Sequence, residues 1–121
     1  IREKMQVFGD NYDTHDGTGV RDYIHVSDLA IAHRKALNYI SENDKDLLVN
    51  LATGDGHSVL DVINKSKEVS GKDIPFDIVG RRAGDPATVV AVSNRANKVL
   101  DWSTKYSDLD TLIRTSWDVY K

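Results

Sequence analysis

Two short stretches of this 121-residue chain carry the side chains most suited to chemistry. The first is Val20-Arg21-Asp22-Tyr23-Ile24-His25-Val26. Successive side chains of a strand point to opposite faces, so the alternation predicts Arg21, Tyr23 and His25 on one face. Val20, Ile24 and Val26 then share the other face, with Asp22 among them. A guanidinium fork grips phosphate oxygens two at a time, and a phenol can donate to a further oxygen. The second stretch is Arg81-Arg82-Ala83-Gly84-Asp85, two cations on a glycine-flanked loop whose backbone can approach an anion closely. Asp85 can accept from a pair of ribose hydroxyls, as acids do in other nucleotide sites. Each stretch also has a plain reading. Arg21 can pair with Asp22 or Asp16 on a surface strand, and the Arg-Arg loop can be a solvated turn. The residues alone leave both readings open.

Composition narrows the remaining classes. A net charge of −3 gives no global basic field for nucleic acid. No apolar run approaches the roughly 20 residues that cross a membrane, and no signal-peptide pattern is present. The absence of cysteine rules out disulfides and thiolate metal sites and fits a reducing compartment, so a cytoplasmic location is expected. His15, His25, His33 and His57 form no His-x-x-x-His pair, so no metal site is expected. Gly54-x-Gly56-x-x-Val59 is an incomplete dinucleotide fingerprint that a turn before a helix explains equally well.

These candidates need a scaffold, and the patterning predicts a single small mixed α/β domain over residues 1–121. Met5 to Phe8 reads as a strand and Asn11 to Gly19 as a polar loop. Ser27 is placed to cap a helix with Leu29, His33, Ala36, Leu37 and Ile40 on one face. Leu47 to Leu51 reads as a strand. Ser58 with Asp61 forms a capping-box pattern, and Gly71 fits the end of that second helix. Ile74, Phe76 and Ile78 alternate as a strand, and Val89 to Val92 form a short one. Ser93 and Ser107 are placed to cap two further helices. In the last of these Leu109, Leu112, Ile113 and Tyr120 face inward.

The loop Gly9-Asp10-Asn11-Tyr12-Asp13-Thr14-His15-Asp16-Gly17-Thr18, the run Arg21-Asp22-Tyr23-Ile24-His25-Val26-Ser27-Asp28-Leu29-Ala30 and the motif Arg81 to Ala87 together resemble the sugar-nucleotide epimerases of the extended short-chain dehydrogenase family. The resemblance runs from about Phe8 to Trp117. It implies a small mixed α/β C-terminal lobe of a Rossmann-type enzyme, with the dinucleotide-binding lobe absent from this chain. In that family the residues matching Arg21 and Arg82 bind the nucleotide diphosphate. The match of Tyr23 lines the nucleotide pocket and the match of Asp85 holds ribose. Matches of Gln6, Val7 and Phe8 form a uracil slot, and that of Val59 touches the nucleotide. The match of Val89 lies beside the hexose 2-position. The implied reaction interconverts UDP-glucose and UDP-galactose through an NAD-dependent 4-keto intermediate, and the implied assembly is a homodimer. Nearby alternatives are another UDP-sugar epimerase, dehydratase or decarboxylase of the family, or a non-catalytic module that binds sugar nucleotides.

A complete enzyme of that family needs a glycine loop for the NAD pyrophosphate and a Tyr-x-x-x-Lys pair for proton transfer. The residues four after Tyr12, Tyr23, Tyr39 and Tyr106 are Asp16, Ser27, Asn43 and Asp110. The expectation is therefore a substrate anchor with no catalytic, cofactor or metal residue of its own. Some positions depart from the family pattern. Asp13 stands where proline is common and Ala52 where glycine is common. Asp101-Trp102-Ser103-Thr104 replaces a Gly-Trp-x-Pro pattern.

Overall fold

The computed structural model describes residues 3–121. In chain order its elements are β1 (Met5–Phe8), β2 (Val20–Arg21), α1 (Val26–Asn43), β3 (His57–Ser58), α2 (Val59–Ser70), β4 (Phe76–Val79), β5 (Thr88–Val89), α3 (Asn94–Leu100) and α4 (Leu109–Tyr120). Two small sheets result. β1 runs parallel to β4, with Met5 opposite Phe76 and Phe8 opposite Val79. β2 lies between β3 and β5, antiparallel to the first and parallel to the second. The mixed α/β architecture agrees with the pattern in the sequence.

α2 forms where the sequence places it. The Ser58 hydroxyl accepts from the Asp61 N–H, and the Asp61 carboxylate accepts from the Ser58 N–H, a complete capping box. Gly71 ends the helix with a left-handed φ of 66°. α2 packs on α4, and its Ile63 is fully buried.

α1 differs from expectation at its start and in its buried face. His25, not Ser27, is the cap, because its Nδ1 accepts from the Ser27 N–H at 3.0 Å. Its Nε2 lies 2.9 Å from Thr115 Oγ1 on α4. The face turned inward carries Asp28 and Ala32, with Ile31, Ala36 and Tyr39 against the cluster of Ala96, Leu100 and Trp102. Leu37 and Ile40 are exposed, as is His33. The rotation follows from Asp28. Its carboxylate accepts from the N–H groups of Lys105 and Tyr106 and from the Ser107 hydroxyl at 2.6 Å, while its carbonyl accepts from the Trp102 indole. A buried anion with that many donors outweighs the preference of two leucine-class side chains for the interior.

Four further expectations are corrected. The strand from Val20 to Val26 stops at Arg21, because Asp22 turns to accept from Thr53 and Gly54 backbone N–H groups and His25 begins a cap. Ile24 therefore packs on the Trp102 cluster while Val26 is exposed. Leu47 to Leu51 finds no partner strand among the described residues. Leu47, Val49 and Leu51 lie against the Trp102 cluster and Leu48 faces outward. α4 is capped by Asp108, since the Ser107 hydroxyl is committed to Asp28; Tyr120 at its far end is exposed. Ser93 precedes α3 without a side-chain cap bond, its hydroxyl lying beside Asn97 instead. Asp101, where the family pattern has glycine, adopts φ 48°, a left-handed conformation that aspartate tolerates better than most residues.

Candidate functional site

The two sheets carry the two sequence motifs to one place. β5 is paired with β2 so that Val89 lies opposite Arg21. The loop that leads into β5 thereby meets the end of β2, although Arg21 and Asp85 are 64 residues apart in sequence. Arg21 Nη2 donates to Asp85 Oδ1 at 2.5 Å, and Arg82 Nη2 donates to Asp85 Oδ2 at 3.0 Å. Arg21 Nη1 also donates to the Val20 carbonyl at 2.7 Å, which fixes the guanidinium plane. The Arg82 guanidinium lies 4.6 Å from the centre of the Phe8 ring. A continuous chain of contacts thus runs Phe8–Arg82–Asp85–Arg21, with Val89 beside it.

Arg21 is ion-paired as the plain reading expects, but with Asp85 and not with the acids nearer in sequence. Asp22 is taken by Thr53 and Gly54, and Asp16 by Thr18 and the Ser58 hydroxyl. Arg21 and Asp85 are partly buried while Arg82 is exposed. Hydrogen bonding from Arg82, strengthened by Arg21, holds the Asp85 carboxyl below its usual range despite partial burial. Two cations against one anion leave a positive residue at the cluster. Burial raises the Tyr23 phenol, against the lowering pull of Arg21, so Tyr23 stays protonated and able to donate. The arrangement can bind an anion and accept from hydroxyls.

β1 adds a polar edge. The Met5 and Gly9 N–H groups bond to Pro75 and Val79 carbonyls on the β4 side. Alternation along the strand then directs the amides of Gln6 and Phe8 to the opposite edge, which has no partner strand among the described residues. That edge offers donor and acceptor pairs of the kind a pyrimidine presents. Val7 points its side chain into the core at 1% exposure, so only its backbone could serve a ligand. Among the described residues no hydrogen bond or ion pair joins Gln6 or Val59 to the arginine cluster. Val59 opens α2 and donates its N–H to the Gly19 carbonyl beside β2.

Sequence reasoning named Arg81 as one of two cations on its loop and gave no separate role to it, to Asn11 or to Tyr12. Arg81 donates from Nε to Asn11 Oδ1 at 2.7 Å and from Nη2 to the Asn11 carbonyl, and its guanidinium lies 4.0 Å from the Tyr12 ring centre. The doubled arginine was the available signal. His15, Asp16 and Asp61 come within metal-ligand proximity, but both carboxylates already serve the start of α2. His25 joins α1 to α4 and His57 lies opposite Arg21 in β3.

No family model matches the chain. Over 117 residues it is 44% identical to the UDP-glucose 4-epimerase of Lacticaseibacillus casei, covering 97% of this chain and 35% of that protein. The crystal structure of UDP-glucose 4-epimerase from Stenotrophomonas maltophila, with bound NAD and formylated UDP-arabinopyranose, superposes with a TM-score of 0.91 at 45% identity over 97% of this chain and 34% of that one. The UDP-Glc/GlcNAc 4-epimerase of Campylobacter jejuni superposes with a TM-score of 0.86 at 41% identity, over 97% and 35% of the two chains. The chain therefore spans about a third of the length of the relatives it matches.

Proposed function

From the premise that this chain is homologous to the C-terminal part of the UDP-glucose 4-epimerases, we propose that it is the part of such an enzyme that anchors the UDP-sugar. The observation that carries the reading is the Arg21–Asp85–Arg82 cluster closed by Phe8. In this reading the two guanidinium groups take the diphosphate, Asp85 accepts from ribose, and the Tyr23 phenol donates nearby. The free edge of β1 at Gln6 and Phe8 meets uracil, with Val7 setting the strand against the core beneath it. Val59 fills the flank at the start of α2.

The residues present do not fit NAD. The starts of α1, α2 and α4 carry Asp28, Asp61 and Asp108, acids that repel a pyrophosphate, and Asp61 and Asp108 also bond to their own helix ends. The glycine loop and Tyr-x-x-x-Lys pair are also absent from the sequence. The redox and proton-transfer groups of an epimerase would thus be contributed by chain outside these residues, the N-terminal dinucleotide-binding lobe. Epimerisation needs the hexose free to present both faces while the nucleotide stays bound. Binding energy spent on UDP, far from the reacting carbon, keeps the intermediate in place. Homodimer assembly and a cytoplasmic location belong to the same proposal; among the described residues no helix is long and apolar enough to cross a membrane.

Two sets of measurements test this reading, the first on the isolated chain. Calorimetric titration should show this chain binding UDP and not binding NAD tightly, and the chain alone should turn over no UDP-galactose with NAD supplied. NAD-dependent turnover by the isolated chain would overturn the division of labour. The second set concerns substrate range. Val89 is 48% exposed in this chain, which supports a place facing ligand over one in a strand core. Its small side chain leaves volume for an acetamido group, and pockets exclude bulk chiefly by clash. The intact enzyme is expected to accept UDP-N-acetylhexoses as well as plain UDP-hexoses, and Val89→Tyr to abolish the former selectively. An unchanged ratio of turnover for the two substrate pairs would end the gate reading.

A further inference from the structure

We propose that Arg81 is a positioning residue, a staple that fixes the Gly80–Pro86 loop on the Asn11–Tyr12 turn and so aims Arg82 at the diphosphate. The inference rests on the reading of the Arg21–Asp85–Arg82 cluster as the UDP anchor. Consecutive arginines on an exposed loop leave in opposite directions here. Arg82 goes to Phe8 and Asp85, while Arg81 goes to Tyr12 and Asn11.

Arg81 is not itself available to a ligand in the way Arg82 is. Its Nε and Nη2 are both committed to Asn11, one to the side chain and one to the backbone carbonyl. Its flat face is covered by the Tyr12 ring at 4.0 Å. The surface it grips is rigid. Tyr12 is buried, its N–H closes the turn onto the Gly17 carbonyl at 2.8 Å, and its carbonyl accepts from the Thr14 N–H. Gly9, with φ 89°, sits under the pair: a Cβ there would lie 2.7 Å from Arg81 Cγ and 2.8 Å from the Tyr12 ring. That packing leaves no play between turn and loop.

The loop has few other attachments. Residues 80–84 are exposed, and within the loop the Asp85 N–H donates to the Arg82 carbonyl at 3.3 Å. On the far side it is tied down through Asp85 to Arg21. Arg81 supplies the tie on the near side, immediately before the residue that must be aimed. Among the described residues Arg81 has no carboxylate within ion-pair distance, so its attachment rests on stacking and on hydrogen bonds to neutral acceptors. Only a guanidinium offers a flat face and a fork together, and lysine cannot replace it.

The test uses an intact epimerase carrying this chain, titrated calorimetrically with UDP and with uridine. Arg81→Lys keeps the charge and the stem but loses the fork and the stacking plane. It should weaken UDP about three- to tenfold while leaving uridine within about twofold, since a loosened support costs affinity only where precise aim is needed. Tyr12→Leu should reproduce that pattern, and Tyr12→Phe, which keeps the ring, should not. A double-mutant cycle separates positioning from direct contact: once Arg82→Ala is present, Arg81→Lys should change UDP affinity less than about twofold. Additive losses would show Arg81 touching the ligand directly and overturn the staple. If Arg82→Ala weakens UDP but Arg81→Lys does not, the staple alone is wrong. If neither weakens UDP, the anchor reading itself fails and the staple with it.

Discussion

Replacing Asp28 by alanine is expected to cost about 3–5 kcal/mol of stability, the loss typical of stripping one partner from a buried charged network. Asp28 is fully buried in a chain whose folded state is held by only about 5–15 kcal/mol. Its two carboxylate oxygens satisfy the Lys105 and Tyr106 N–H groups and the Ser107 hydroxyl. Ser107 in turn accepts from the His25 N–H at 2.9 Å, so one carboxylate holds the start of α1 against the turn before α4. Alanine would leave these donors without an acceptor, each unsatisfied group costing about 1–3 kcal/mol. Urea denaturation of wild type and Asp28→Ala checks the figure, and a loss under about 1 kcal/mol would show that water replaces the carboxylate.

The same residue has a pH signature. Burial pulls the Asp28 carboxyl upward, but hydrogen bonds from Ser107, Tyr106 and Lys105 outweigh it and hold the group below its ordinary value. A carboxyl depressed in the folded state contributes stability above its unfolded pKa of about 3.9, and that contribution is lost as pH falls through the folded value. Denaturation curves taken from pH 7 downward should therefore fall more steeply in wild type than in Asp28→Asn once the pH passes below about 4. Parallel curves would remove Asp28 from the account of acid sensitivity.

The second large effect is expected at the anchor. In the intact enzyme Arg82→Ala and Arg21→Ala should each weaken UDP-sugar about 10- to 100-fold, the equivalent of losing one charge-assisted hydrogen bond of about 1.5–3 kcal/mol. Arg21→Ala should be the more damaging. Arg21 is partly buried and pairs with one oxygen of Asp85 at 2.5 Å. Its removal deletes a cation and also takes from Asp85 its shorter ion pair, so the carboxylate is left to the exposed Arg82 alone. Arg82 is exposed, and its loss leaves the inner Arg21–Asp85 pair intact. Affinity measured across a series of salt concentrations checks both, because a lost phosphate contact flattens the salt dependence as well. Losses below twofold in both variants would show that the phosphates bind elsewhere.

The sequence by itself determined the features that depend on near neighbours. The α2 capping box needs only Ser58 and Asp61 three residues apart, and the Gly71 stop needs only a residue at ease with positive φ. The candidate anchor residues could be named for the same reason, since guanidinium, phenol and carboxylate chemistry is local. What only the tertiary structure decided is which partner each charge takes. Arg21 had acids at hand in Asp22 and Asp16, yet both are claimed by other donors, and the acid it keeps is Asp85, delivered by the parallel pairing of β2 and β5. The capping of α4 and the inward face of α1 likewise turned on a contact across 79 residues: Asp28 takes the Ser107 hydroxyl, which leaves Asp108 to cap α4 and turns Leu37 and Ile40 outward. Apolar periodicity weighs side chains one at a time. A buried carboxylate with several donors converging on it outweighs that average, and the convergence exists only once the chain has folded.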